Sequence, residues 1–263
     1  MVVKIERMFI CYLGRIRYMI EKKNMPIRAI IFDMDGTIVN TEKVWDFATK
    51  KPLFDRGILE FTEEEEIFLD SFSGIGIEDW AVQVKSFFKL DDPHEMIASE
   101  AVMNASQGFE EIVPFIEGFE RFHSFVKDSN LVFAIATNTG RQAFDAIIEK
   151  MNFKYFFGNH LYCKDDVGGL AKPNPALFLY AADQLGVLPE ECLVIEDSIF
   201  GFEAAALAGM RCIAIKNKRN KEHIHHADYA VRDYHDAFDV LVDIFAHQNA
   251  AQNIVSNDIQ QLQ

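Results

Sequence analysis

The 263-residue chain has only four cysteines, Cys11, Cys163, Cys192 and Cys212. Their scatter offers neither a disulfide framework nor metal-ligand spacing, and Cys192 and Cys212 fall in strand-like runs, so reduced and buried thiols are expected. An unbroken apolar run long enough to cross a bilayer is also missing. Residues 1–24 carry Ile5, Phe9, Tyr12, Ile16 and Met19 among basic residues, a pattern that suits a basic amphipathic helix or a dispensable extension. Arg15 and Arg17 interrupt it, which excludes a membrane span and a secretory signal. Positive charge is scarce, with 26 Lys and Arg against 41 Asp and Glu and a net charge of −15. Residues 1–25 hold six basic and two acidic residues, so the remainder sits near −19. Such a surface repels nucleic acid and anionic membranes. The expectation is a cytoplasmic protein with neither as partner.

What is present is an apolar content of 49%, enough for a large core, and a set of apolar runs that end in polar residues. Ala29-Ile30-Ile31-Phe32 runs into Asp33-Met34-Asp35-Gly36-Thr37. In an extended segment residues i and i+2 share a side, so Asp33 and Asp35 can face one cavity beyond the strand's carboxyl end. Open parallel sheets bind ligands there. Leu131-Val132-Phe133-Ala134-Ile135-Ala136 runs into Thr137-Asn138, and Cys192-Leu193-Val194-Ile195 runs into Glu196-Asp197-Ser198. These read as buried parallel strands, with helical patterns at 140–150 and 175–186 between them. The spacing predicts an α/β fold: a Rossmann-like parallel sheet with helices on both faces. An Asp-x-Asp-Gly cluster is also a common turn, and a polar residue after a strand is a common helix cap.

The stretch between the first motif and Thr137 is too long for a loop. Helical patterns at 41–57, 62–71, 77–90 and 94–108 fill it, with Thr62 and Asp92 as N-cap candidates. It predicts a small all-helical inserted unit. Phe68, Phe72, Phe87 and Phe88 are its core candidates and imply no cofactor.

The four segments, Asp33-Met-Asp-Gly-Thr37, Thr137-Asn138, Lys172-Pro-Asn-Pro175 and Val194-Ile-Glu-Asp-Ser198, match in order and type the motifs of the haloacid dehalogenase-like (HAD) hydrolases. With Gly201, Ala204-Ala205-Ala206 and Ala208-Gly209-Met210, the chain resembles the subfamily I branch that holds phosphoglycolate phosphatase, sugar-phosphate phosphatases and β-phosphoglucomutase. The resemblance covers about residues 27–240. It implies a core over 26–39 and 112–245, a cap over 40–111, an extension at 1–25 and a Gln- and Asn-rich, peripheral tail at 246–263. The second motif aspartate, Asp35, points to phosphate esters, because dehalogenases of the family lack it.

The resemblance assigns roles that physical chemistry supports. Asp33 would attack phosphorus and become an aspartyl-phosphate, and Asp35 would serve as acid and base with a raised pKa. Gly36 would permit the tight backbone path, and the Thr37 hydroxyl would orient a carboxylate. Mg2+, which takes oxygen ligands, would be held by Asp33, Asp197 and the Asp35 carbonyl, with Glu196 contributing directly, through water, or as a solvated carboxylate. Thr137 and Asn138, at the start of a helix from 139 to 150, would bind phosphate oxygens, although Asn138 could equally be a cap. Lys172 would neutralise the phosphoryl charge.

The chain departs from the mutases at two places. Trp45 stands where they have a cap histidine, and Ile77 falls about where they have a cap-loop arginine. Hydrolysis of a small phosphorylated metabolite, best a sugar phosphate, is therefore favoured over a phosphomutase or a non-catalytic phosphate binder. Trp45 and the loop 73–79 are the candidates for leaving-group selection, against simple core packing. His223, His225 and His226 read as a solvated face rather than a metal site. A monomer or small homo-oligomer is expected.

Overall fold

The computed structural model of the protein describes residues 25–72, 74–109 and 113–261. Ala29–Phe32 forms β1, buried along its whole length. The chain then leaves the sheet for four helices: α1 (Glu42–Asp55), α2 (Glu63–Asp70), α3 (Ile77–Phe88) and α4 (His94–Gly108). It returns through α5 (Phe119–Asp128) to β2 (Val132–Thr137), α6 (Arg141–Lys150), α7 (Phe153–Phe157) and β3 (Leu161–Cys163). The second half runs α8 (Ala176–Leu185), β4 (Cys192–Glu196), α9 (Ile199–Leu207), β5 (Arg211–Ile215), β6 (Tyr229–Val231) and α10 (Tyr234–Gln261).

Among the described residues, six strands make one parallel sheet in the order β3-β2-β1-β4-β5-β6. The chain goes to one side of β1 first and to the other side afterwards. The strand order therefore reverses at β1, where the carboxyl ends open a crevice.

Strand alternation divides the core into two layers. Ile30, Phe32, Leu193, Ile195, Ile213 and Ile215 face a layer built with the large side chains of α5, α6, α7 and α10. Ala29, Ile31, Ala134, Ala136, Val194 and Ala214 face the other way, onto α8 and α9. Small residues on both partners, such as Ala181 and Ala204, let these helices sit close to the sheet. The expected fold is present, helices on both faces included.

The four helices after β1 form the helical cap, with a separate core around Leu53, Trp80, Val84, Ile97 and Ala101. Phe68, Phe72 and Phe88 pack against it. Phe87 instead lies towards solvent and stacks on Phe68 at 3.7 Å between ring centres. Thr62 caps α2 as expected, in a capping box with Glu65. Asp92 does not cap α4, which begins after Pro93. Its carboxylate takes the Arg56 Nε donor at 2.8 Å, and Arg56 also reaches Glu100. A charge-assisted bond to guanidinium displaces the weaker capping bond. The connections to the cap run side by side, with Asn40 N–H donating to Pro114 O and Ile116 N–H to Ile38 O, both at 2.8 Å. Residues 110–112, where the cap is expected to end, Ser73 and residues 1–24 of the extension lie outside the described residues. At the other end α10 continues through Gln261, so position 246 marks no break in secondary structure.

Phe32 is wholly buried, with the rings of Phe119, Phe122, Phe157 and Tyr234 centred 5.7 to 6.4 Å away. Its removal leaves a cavity that four rigid rings cannot fill by small shifts. Phe32→Ala is expected to cost about 3–5 kcal/mol, read from denaturant unfolding. A loss under about 1 kcal/mol would show that the layer collapses freely.

Candidate active site

Each strand end delivers one part of the site. Asp33 follows β1, and its N–H donates to the Ile195 carbonyl at 2.9 Å, which fixes the start of the turn. Gly36, at φ +76°, turns the chain where a Cβ would come within 2.1 Å of the Asp197 carboxylate. Only glycine fits both the conformation and the approach. Thr37 is buried and its hydroxyl donates to Asp197 Oδ1 at 3.4 Å, the orienting contact expected of it.

Lys172 lies at the centre, buried, with Nζ 2.6 Å from Asp33 Oδ1 and 2.8 Å from Glu196 Oε1. Burial alone would lower its pKa, but the attraction of Asp33 and Glu196 outweighs burial and holds it above the ordinary value, so the ammonium stays charged. Glu196 is fully engaged. Its other oxygen accepts from the Asp197 and Ser198 N–H groups, each at 2.7 Å, and from the Ser198 hydroxyl at 3.0 Å. Gly201 makes room, since a Cβ there would lie 1.9 Å from that carboxylate.

Asp197 stands opposite Asp33. Asn217 donates to its Oδ2 at 2.9 Å, and Asn217 and Asn220 both donate to its backbone carbonyl. Burial raises the pKa of Asp197, with Glu196, Asp33 and Asp35 adding to the effect and Lys172 opposing it. Asp33 is likewise raised by burial, against Lys172, with Glu196 and Asp35 adding. Four carboxylates thus face one buried ammonium.

Asp35 is held from two domains. Trp45 Nε1, on cap helix α1, donates to Oδ1 at 2.8 Å, and the Thr139 hydroxyl donates to Oδ2 at 2.7 Å. Burial raises its pKa, and hydrogen bonds from Trp45, Thr139 and Thr41 oppose the rise. Trp45 also packs edge-on against Phe109, so it combines core packing with a polar contact in the site.

The anion site expected at the helix after β2 is built differently. The helix begins at Arg141, two residues later than expected, and its first N–H is taken by Asp165 Oδ2 at 2.6 Å. The buried Thr137 hydroxyl accepts from the Thr139 N–H at 3.1 Å. Asn138 Oδ1 accepts from the Lys172 N–H and Nδ2 donates to the Gly74 carbonyl, both at 2.8 Å, so its amide is committed to protein groups. A cavity of about 520 Å3 opens over Asp33, Asp35 and Asp197, with Trp45, Ile75 and Ile77 on its cap side.

All seven residues proposed from sequence gather here. The reading missed Thr139, Asn217, Asn220 and the hydrogen bond of Trp45. Asn217-x-x-Asn220 just beyond the apolar run of β5 was the available signal.

A divalent cation fits the acidic cluster. Among the described residues, Asp33, Glu196 and Asp197 form the group whose ligand atoms lie within 4.8 Å of one another. All are hard oxygen donors, and Lys172 alone leaves their charge uncompensated. Glu196 accepts four hydrogen bonds, three of them on one oxygen, whereas Asp33 and Asp197 accept no more than one at any oxygen from side chains. Asp33 and Asp197 keep lone pairs for an ion and are the better direct ligands.

A family model for haloacid dehalogenase-like hydrolases matches residues 27–209. The fructose-1-phosphate phosphatase of Escherichia coli is 28% identical over 193 residues, covering 71% of this chain and 95% of that one. A phosphorylated carbohydrates phosphatase of Thermotoga maritima is 25% identical over 189 residues, covering 71% and 84%. The crystal structure of β-phosphoglucomutase from Clostridium difficile superposes with a TM-score of 0.70 at 22% identity, covering 85% of this chain and 99% of that one. At that identity the likeness speaks for the fold. No helix among the described residues is long and apolar enough to cross a membrane.

The raised carboxylates have a signed consequence. Protonated, they stabilise the metal-free fold below their ordinary values near pH ~4, and that contribution is lost as pH rises through the raised folded values. Mg2+ is therefore expected to raise Tm, and to do so more at about pH 8 than at about pH 5. At a hundredfold excess over Kd the gain is about 2.7 kcal/mol. Asp197→Asn should remove most of it; a wild-type Tm indifferent to Mg2+ throughout excludes the ion from the cluster.

Proposed function

Because this chain belongs to the haloacid dehalogenase-like hydrolases, we propose that it is a Mg2+-dependent phosphatase that hydrolyses a small phosphorylated metabolite, best a sugar phosphate, through an aspartyl-phosphate at Asp33. One observation carries the reading: Asp33 lies bonded to Lys172 at the floor of a cavity into which Asp35, held at both oxygens, also opens. A pure binder needs no such nucleophile. The sugar phosphatases of Escherichia coli and Thermotoga maritima support the substrate class.

Asp33 attacks phosphorus through one carboxylate oxygen, and the bond from phosphorus to the substrate oxygen breaks. Lys172 offsets charge on the phosphoryl oxygens, with Glu196 keeping its ammonium in place. The departing oxygen takes its proton from Asp35. A water then gives a proton back to Asp35 and attacks phosphorus, which frees inorganic phosphate and restores Asp33. Indole N–H only donates, whereas the Thr139 hydroxyl can donate or accept. The mobile proton therefore belongs on Oδ2, and Trp45 fixes Oδ1 in both steps. Mg2+, held by Asp33 and Asp197, would supply further neutralisation of the phosphoryl charge.

The first test is phosphate release from a panel of phosphorylated metabolites, with and without Mg2+, beside Asp33→Asn. Magnesium-dependent release from a few sugar phosphates, lost in the variant, is expected. An isomeric sugar phosphate in place of free phosphate would identify a phosphomutase, and near wild-type turnover by Asp33→Asn would refute the covalent route.

Trp45→Phe retains the ring against Phe109 and deletes the donor to Asp35. Kinetics on the best ester should show kcat reduced about tenfold or more, since a lost bond to a charged group is worth roughly 1.5–3 kcal/mol. An unchanged kcat would reduce Trp45 to cavity wall.

A further inference from the structure

The stretch 74–78 crosses the mouth of the site as a strap that, with Asp70 ahead of it, meets residues beyond four strand ends. Just before it, Asp70 at the end of α2 pairs with Arg219, beyond β5, at 2.9 Å. Gly74, at φ +86°, lies so close to Ser198, beyond β4, that a Cβ would meet its side chain at 2.4 Å. At the far end Glu78 pairs with Lys164, beyond β3. Glu78 is exposed whereas Lys164 is buried beside Gly76 of the strap, so lifting the strap would break this pair and uncover the ammonium.

Between these ion pairs lies one neutral, directional contact, and it continues into the catalytic machinery. Asn138 Nδ2 donates to the Gly74 carbonyl at 2.8 Å, and the same side chain accepts from the Lys172 N–H at 2.8 Å. A weaker contact runs from Nδ2 to the Lys172 carbonyl at 3.4 Å. Nζ of that lysine bonds Asp33 and Glu196.

We propose that Asn138 is a positioning residue that couples docking of the strap to placement of Lys172, and does not itself bind phosphate. Its amide has an acceptor on the lysine backbone side and a donor on the strap side, so each bond fixes the plane needed by the other. With the strap docked, the backbone of Lys172 is pinned and its ammonium is held against Asp33. With the strap lifted for substrate entry or product exit, Asn138 loses one anchor and the 171–174 segment loosens. Full charge compensation at phosphorus then exists only while the cavity is closed to bulk water. The inference rests on the phosphatase reading for its kinetic consequences, and on the hydrogen bonds alone for its conformational ones.

The test joins a strap variant, Asp70→Asn with Glu78→Gln, to Asn138→Ala in a double-mutant cycle. Hydrogen exchange over the peptide containing Lys172 is followed beside kinetics on p-nitrophenyl phosphate and inhibition by inorganic phosphate. Loosening the strap should speed exchange at Lys172 and lower kcat, each about tenfold, with KM little changed. Asn138→Ala should lower kcat at least as far, and adding the strap variant to it should cost no more than about another twofold. Inhibition by inorganic phosphate should weaken no further in Asn138→Ala than in the strap variant, to within about twofold, because in both the loss comes through Lys172. The proposal is overturned by multiplying kinetic losses, by unchanged exchange at Lys172 in the strap variant, or by Asn138→Ala weakening phosphate with kcat retained. A wild-type protein that releases phosphate from no ester defeats the reading of function, while exchange at Lys172 still decides the coupling.

Discussion

The ammonium of Lys172 is the interaction on which the rest of the site depends. It lies between Asp33 and Glu196 in a region from which water is largely removed, and the two remaining aspartates are close enough to feel the same charge. Isolated, each buried carboxylate would take a proton rather than remain ionised. One lysine cannot satisfy all of them. The deficit is what makes the cluster receptive to a divalent cation.

Gathering these groups requires a backbone that permits close approach. Gly36 and Gly201 stand where a methyl group would overlap the carboxylates of Asp197 and Glu196. The parallel sheet contributes the rest, because its strands deliver their carboxyl ends to one edge and reverse order at β1. The sheet's two faces are packed differently, aromatic on one side and small-residue on the other, so the strands are held in fixed register beneath the site. The floor of the site belongs to the core, and the cap adds contacts from above, Trp45 to Asp35 and the Gly74 carbonyl to Asn138.

Much of this was legible in the sequence, for identifiable reasons. Buried parallel strands read as continuous apolar runs, so β1, β2 and β4 announced themselves with the polar residues that end them, whereas β5 showed only as a strand-like run around Cys212. Cap helices were found because their apolar spacing is helical, and the box at Thr62 and Glu65 is local in sequence. The contacts that local pattern did not foretell share another cause. Asp92 was drawn from its capping position by Arg56, Asn138 was claimed by Gly74 and Lys172, and the first N–H of α6 was claimed by Asp165. Each of those partners is at least 24 residues away or comes from another element, and local propensity carries no record of such competition.

What the sequence by itself determined is the chemistry available: an aspartate pair after one strand, a threonine after another, a lysine in a proline-stiffened loop and an acidic pair after a third. Period and residue type suffice for that, because both act through neighbours in the chain. Tertiary structure alone decided how those groups are engaged. It bound both oxygens of Glu196, turned Asn138 into a strut and set Trp45 against Asp35, since hydrogen bonds between distant segments depend on angles and distances that exist only once the sheet and cap have packed.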